Sequence, residues 1–309
     1  MSSITSAPWK NLQGICMENE YLRVIVLPKL GGKIASVVYK DKDFELAAQN
    51  KEEYYKMPQL DAAFEKYDAS GMDDAFPNIV EAKVKYGDRE LHYPDHGEIW
   101  SSSFEWEIGD ENLTLFYESK RFAYLYQKRF TLQNKVLRVS YEIQNLSDES
   151  FPCLWAFHGL VRYEEDMELL YSEDVKSFEN VLQGEELGEV GRHIALKNEE
   201  YNFAHVPEKV SETMVKYYVD SRLEKGVCGY RYPTQKMECL LNYNAEKLPY
   251  LGVWITAGGF RKDYNCAMEP ANGYYDDIRI AWENKSLYWL KKENPLNFDL
   301  EMTVKEMED

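Results

Sequence analysis

The sequence predicts an all-β fold, a single large antiparallel sandwich over residues 1–309. Two alternating runs carry that expectation. In residues 136–143, Leu137, Val139, Tyr141 and Ile143 share one face, and residues 298–304 alternate just as cleanly. Period-two patterning of this kind belongs to strands packed on one side and wet on the other. The third observation is continuity. Strand-like segments run from about residue 20 to the last few positions, with no Pro/Gly/Ser linker, low-complexity tract or short repeat between them.

In chain order, residues 21–27, 28–32 and 33–39 read as strand, glycine turn and strand. Residues 50–67 are polar, with Tyr, Met, Leu and Phe at loosely helical spacing, and predict a helix or a long irregular excursion. From Asp74 onward the signal is β almost throughout. Residues 130–132 join the strand at 136 through Gln133-Asn134-Lys135, which completes a hairpin. Residues 176–190 are acidic, hold Gly184 and Gly188, and read as loop.

Composition narrows the function. Apolar residues make up 44% of the 309, so a folded core is expected. The 24 Tyr and the 14% aromatic share suit a β-rich chain and suit sugar binding, where rings stack on C–H faces. A net charge of −18 with no basic stripe argues against nucleic acid, and weakly against a polyanionic substrate. No apolar run approaches the ~20 residues of a membrane helix, and residues 1–10 lack the features of a signal peptide. Five scattered Cys give neither a disulfide framework nor a zinc site, so a reduced, cytoplasmic setting is expected.

Three segments could carry chemistry. In residues 266–277, Cys266-Ala267-Met268 reads as the end of a buried strand, which Pro270 and the Asn272-Gly273 turn signal should terminate. Glu269 then sits at the lip of a packed sheet, where partial desolvation raises a carboxyl toward the range of a general base. A structural role, bonding a turn amide or pairing with an Arg, is the competing account. The second segment is Tyr93-Pro94-Asp95-His96-Gly97-Glu98-Ile99-Trp100. His92 and His96 have a metal-compatible helical spacing, but Pro94 lies between them and the setting is a loop, so no metal site is expected. In the third, Trp155-Ala156-Phe157-His158-Gly159, one imidazole ends an apolar run. It is either a core histidine bonded to a carbonyl or a cleft residue titrating near neutrality with a proton to give. His193 and His205 are given no role.

Asp95-His96-Gly97, the Trp155–His158 run and Met268-Glu269-Pro270 occur in the order and approximate spacing of the aldose 1-epimerase (galactose mutarotase-like) family, which the chain resembles over most of its length. Residues 20–34 also resemble that family's N-terminal hairpin. The motifs are short, but the ordered set is fairly specific. The resemblance implies a β-supersandwich, no cofactor, a monosaccharide substrate, a monomer or homodimer, and interconversion of the α and β anomers of a free sugar. It implies Glu269 as general base, His158 as general acid, and His96 as a sugar-binding histidine. The chemistry is coherent, because ring opening needs a proton taken from O1 and one delivered to O5, and neither nucleotide nor metal is required. No phosphate loop or serine elbow is present.

Two departures bear on the substrate. Gly159 follows His158 where that family usually has Pro, and the acidic residue that grips sugar hydroxyls has no clear counterpart near residues 249–254. The acidic loop at 71–78 supplies candidates, Asp74 and less surely Asp73, with a capped turn as the alternative. Trp254 and Trp100 are candidate stacking platforms, a role that competes with core packing. Three other functions stay open: a hexose-6-phosphate 1-epimerase, a non-catalytic carbohydrate-binding protein of the same fold, and a glycosidase pairing Asp74 with Glu269.

Overall fold

Strands dominate because apolar side chains recur every second residue, so the chain buries its surface by stacking sheets rather than helices. The computed structural model describes residues 2–86 and 89–307. Among these, a 13-stranded antiparallel sheet runs from an edge at Ser3–Trp9 to an edge at His193–Ala195, and an 8-stranded sheet packs on it. The second sheet is ordered Glu168–Tyr171, Val227–Tyr232, Met237–Tyr243, Leu296–Glu306, Val136–Asn145, Tyr124–Gln133, Asn112–Ser119, Glu105–Ile108. Leu137, Val139, Leu300 and Met302 from this sheet join Phe157, Val253 and Met268 from the other in one buried cluster.

Five neighbouring strands of the larger sheet position the candidate site. In spatial order they are the aspartate strand (Met72–Ala75), the histidine strand (Ala156–Gly159), the glutamate strand (Tyr264–Ala271), the glycine strand (Tyr250–Ala257) and the lysine strand (Met214–Val219). Side chains alternate between the inter-sheet core and the outer face, so Phe157 and Met268 point inward while His158 and Glu269 point outward.

The hairpin at Leu22–Leu27 and Lys33–Tyr39, the hairpin turning at Asn134 and the C-terminal strand Leu296–Glu306 all form as the alternation predicts. Residues 50–67 take the irregular option, with a single 3₁₀ turn at Phe64–Lys66. Three features differ from the sequence expectation. A hairpin of Ser3–Trp9 and Leu12–Glu18 precedes the first expected strand. Ser177–Asn180 is a strand inside the stretch read as loop. The glutamate strand also runs through Pro270 to Ala271. Pro270 is accommodated because the ladder toward the histidine strand is open there. Pairing resumes only at Ala156–Ala271 and Val161–Cys266, and the free Met268 N–H donates instead to the Tyr230 hydroxyl at 2.5 Å.

The same alternation corrects the expectation for Asp74. Residues 72–75 are strand, not loop, and Asp74 points into the core with Phe157 as its register partner. Its carboxylate accepts from Lys128 at 2.7 Å, Tyr126 at 3.1 Å and Tyr141 at 3.0 Å. It is spent on a buried charge cluster between the sheets and is not among the residues lining the outer-face cavity. Removing one partner of such a pair strands the other. Asp74→Ala is therefore expected to cost about 3–5 kcal/mol, and the joint change of Asp74→Leu with Lys128→Met much less. Urea unfolding of both variants checks this, and a loss below about 1 kcal/mol for Asp74→Ala contradicts it.

Candidate active site

On the outer face, register assembles the site. His158 pairs with Asp73, and Glu269 pairs with Gly252, which pairs in turn with Tyr218. Stepping two residues along each strand from the Ala156–Ala271 pair brings His158 opposite Glu269. Asp73, His158, Glu269, Gly252 and Tyr218 thus form one row across five strands. The flanking rows contain Ala75, Ala156 and Ala271 on one side and Ala267 with Trp254 on the other. Small side chains there lower the floor. Gly252 has a further reason to lack a side chain, since a Cβ would stand 3.1 Å from Glu269 Oε2.

A cavity of about 400 Å³ lies over this row, lined by His96, His158, Lys216, Asp276 and the apolar walls Phe64, Leu160, Trp254 and Phe260, among others. A larger and more open groove of about 640 Å³ crosses the outer face of the 8-stranded sheet, lined by Gln127, Arg129, Asn242, Asn297 and Asp299, and no predicted site residue reaches it. The two predicted site histidines line the smaller one.

Glu269 is buried beneath that cavity, 1% exposed, with Lys216 above it. Lys216 Nζ lies 2.9 Å from Glu269 Oε2 and 3.1 Å from Asp276 Oδ2, and Asp276 also accepts from the Tyr218 hydroxyl at 2.6 Å. Burial raises the Glu269 carboxyl above its ordinary value, and the Lys216 ammonium pulls against that rise. Burial would lower Lys216, but Asp276 and Glu269 outweigh it and keep the amine firmly protonated. Glu269 Oε1 has no protein partner among the described residues.

His158 is partly exposed and lines the cavity, and its Nδ1 is buried with no partner among the described residues. Burial, then the nearby His96 and Lys216, push its pKa well below 6.5. That direction favours the neutral ring and runs against the expectation of an imidazole titrating near neutrality. His96 sits on a tight loop with φ of 56° and hydrogen-bonds Asp95 through Nδ1 at 2.7 Å. The next residue must be glycine, because a Cβ on Gly97 would fall 2.1 Å from the Phe76 carbonyl oxygen. Phe64 stacks on His96 at 4.1 Å and meets His158 edge-on at 5.2 Å, so one ring orders both imidazoles.

Of the predicted site residues, His158, His96 and Trp254 line this cavity, and Glu269 lies behind Lys216, outside the lining. Trp100 does not line it. It is buried behind Phe64, donates to the Asp95 carbonyl at 2.9 Å and leaves the cavity to others. Asp73 lies in the row but not in the lining, held by Lys33 at 2.7 Å. Sequence reasoning missed Lys216, Asp276 and Phe64. Lys216 alternates with the buried Val215 and Tyr217, a strand signal that marks it outward-facing but not catalytic.

The fold so defined is that of galactose mutarotase-like proteins. A galactose mutarotase-like protein from Clostridium acetobutylicum superposes with a TM-score of 0.75 at 13% identity over 99% of both chains. One from Lactobacillus casei does so with a TM-score of 0.70 at 16% identity, over 94% of this chain and 100% of that one. A candidate aldose 1-epimerase from Escherichia coli K12 gives 0.71 at 15% identity, over 99% and 100%. No family model and no curated protein matches the sequence.

The Lys216 contact makes a direct prediction. In Lys216→Met the Glu269 carboxyl loses its compensating cation, so its titration midpoint should rise by about 1–3 pH units. Carboxyl ¹³C NMR reads this, and an unchanged or lower midpoint contradicts the assignment.

Proposed function

We propose that the protein is an aldose 1-epimerase, interconverting the anomers of a free sugar by ring opening and reclosure. The observation that supports this most is the register that sets Glu269 opposite His158 on adjacent strands, with His158 lining the cavity and Glu269 buried behind Lys216 with one carboxylate oxygen unpartnered among the described residues. A pocket of this size with apolar walls and a few convergent polar groups suits a monosaccharide. Trp254 offers an aromatic face for the sugar's C–H surface.

The chemistry follows from the two groups. Glu269 takes the proton from O1, C1–O1 becomes a carbonyl, and the C1–O5 bond breaks with its electron pair on O5. The cavity edge of the protonated His158 ring gives O5 a proton. Rotation about C1–C2 turns the other face of the aldehyde to O5, and reclosure reverses each transfer. His96 hydrogen-bonds the sugar beside the ring oxygen, and Asp276 accepts from a hydroxyl. Burial lifts Glu269 above 4.5 and lowers His158 below 6.5. The two shifts run toward each other, which suits groups that must give and take a proton in each direction.

A second substrate is favoured by one feature. A neighbouring cavity of about 380 Å³, lined by Lys51, Lys56, Lys66 and Arg261 and sharing Ala69 with the first, could receive the phosphate of a hexose 6-phosphate.

Saturation-transfer NMR on aldoses and their 6-phosphates tests both. Wild type is expected to accelerate anomer exchange, and Glu269→Gln or His158→Ala to lose about 10²–10⁴ of it. Sugar binding without faster exchange overturns the enzymatic reading. The pH dependence has a defined sign. Activity rises with pH as Glu269 ionises and falls as protonated His158 is lost. Because the histidine titrates below 6.5, kcat/KM should peak on the acid side of neutrality and decline above it. An optimum well above pH 7 contradicts these assignments.

A further inference from the structure

Lys216 lines the cavity and Glu269 does not, so a ligand approaching that carboxylate meets the ammonium on the way. The lysine starts one row from Glu269, opposite Trp254, and the missing side chain at Gly252 leaves its path open. An ammonium has three N–H donors. Two are answered, by Glu269 Oε2 at 2.9 Å and Asp276 Oδ2 at 3.1 Å, and the third has no partner among the described residues. Both Asp276 oxygens are taken, one by Lys216 and one by the Tyr218 hydroxyl at 2.6 Å. Glu269 Oε1 is buried with no partner among the described residues, a costly state for a carboxylate oxygen. One ion pair therefore keeps one spare donor and one spare acceptor. A single hydroxyl group answers both, with a proton to give and lone pairs to accept with. Because Lys216 is the register partner of Trp254, a sugar lying on that indole has its ring substituents beside the ion pair.

We infer that Lys216 is a catalytic residue that holds the anomeric oxygen: its spare N–H donates to sugar O1 while the O1 proton goes to Glu269 Oε1.

The consequence lies in where charge develops. As Glu269 takes the proton, negative charge grows on O1 until C1–O1 becomes a carbonyl and the C1–O5 electron pair leaves on O5. A fixed ammonium at O1 stabilises that charge, and in the closing direction it polarises the aldehyde toward attack by O5. Lys216 keeps its own proton throughout. Burial favours the neutral amine, but Asp276 and Glu269 outweigh it, so the group acts as a fixed donor and not as an acid. This role also removes a difficulty. A cation beside a general base weakens the base. The same cation at O1 makes the anomeric hydroxyl more acidic, so the proton transfer between them need not become harder.

Lys216 takes its chemical role from the proposed epimerase reaction, on which this inference rests, but its contact with O1 can be detected without turnover. Each aldose bound in the saturation-transfer panel is compared with its 1,5-anhydroalditol, the same ring without O1, by NMR titration of wild type and Lys216→Met. The pH is set above the Glu269 midpoint of both proteins, so that the carboxylate is ionised in each. Lys216→Met should weaken the aldose by about 10- to 100-fold, the worth of a hydrogen bond to a charged group. It should leave the anhydroalditol within about twofold, the scatter expected of groups that do not interact. At that pH kcat should fall by about 10²–10³, as when one oxyanion donor is removed, and Lys216→Arg should recover part of both losses. Equal losses for the two ligands, or none for either, overturn the inference, since a lysine that only supports Glu269 cannot sense O1. If Lys216→Met fails to fold, lysine ¹⁵Nζ NMR of wild type decides. The Lys216 resonance, identified by its loss in Lys216→Arg, should move on saturation with the aldose and stay in place with the anhydroalditol; the same shift with both overturns the inference. A loss confined to the aldose, without anomer exchange in wild type, sinks the enzymatic reading and leaves the Lys216 contact standing. Exchange with equal losses does the reverse, and a wild type that binds no aldose overturns both.

Discussion

The site depends on keeping one carboxylate charged inside a sheet. Taking a glutamate out of water costs several kcal/mol unless a counter-charge and hydrogen bonds replace the solvent. Lys216 supplies that replacement for Glu269, and Asp276 and Tyr218 hold Lys216 where it must be. The cost of the arrangement is a lysine that covers the carboxylate, so Glu269 lies behind an ammonium group rather than in an open cleft. That ammonium also moderates the basicity of Glu269 and adds to the forces that keep His158 neutral.

The sheet geometry turns sequence distance into proximity. His158 and Glu269 are more than a hundred residues apart, yet antiparallel register sets them face to face across a break in the ladder that the proline at 270 accommodates. Glycine and alanine on the flanking positions keep the floor low, and Phe64, carried by the irregular excursion at 50–67, closes over both histidines. Phe64 and Phe260 come from loops and turns, whereas Trp254, His158, Glu269 and Lys216 are carried by strands. Strand-borne side chains have few ways to move, which suits proton transfers that tolerate little displacement.

Most of the fold was legible because alternation is a local signal. The strands at 136–143 and 298–304 state their inward faces in the residues themselves. The N-terminal hairpin was not, since Ser3–Trp9 is an exposed edge strand with a mixed pattern. Glu269, His158 and His96 could be picked out because unusual residues sat at the ends of apolar runs or beside glycine. Asp74 shows the limit. Asp73 and Asp74 are adjacent carboxylates, and a shift of one residue decides which faces the histidine and which enters the core. Lys216 was invisible for another reason: nothing in its own strand indicates that residues sixty positions later fold against it.

The central claim is that a sugar bridges Glu269 and His158, and a crystal structure with a bound monosaccharide tests it most directly. The account predicts O1 within hydrogen-bonding distance of the free Glu269 oxygen, the ring oxygen on the cavity edge of His158, and Trp254 against the C–H face. A sugar lying in the groove of the 8-stranded sheet, or held with its anomeric carbon turned toward solvent, would contradict it.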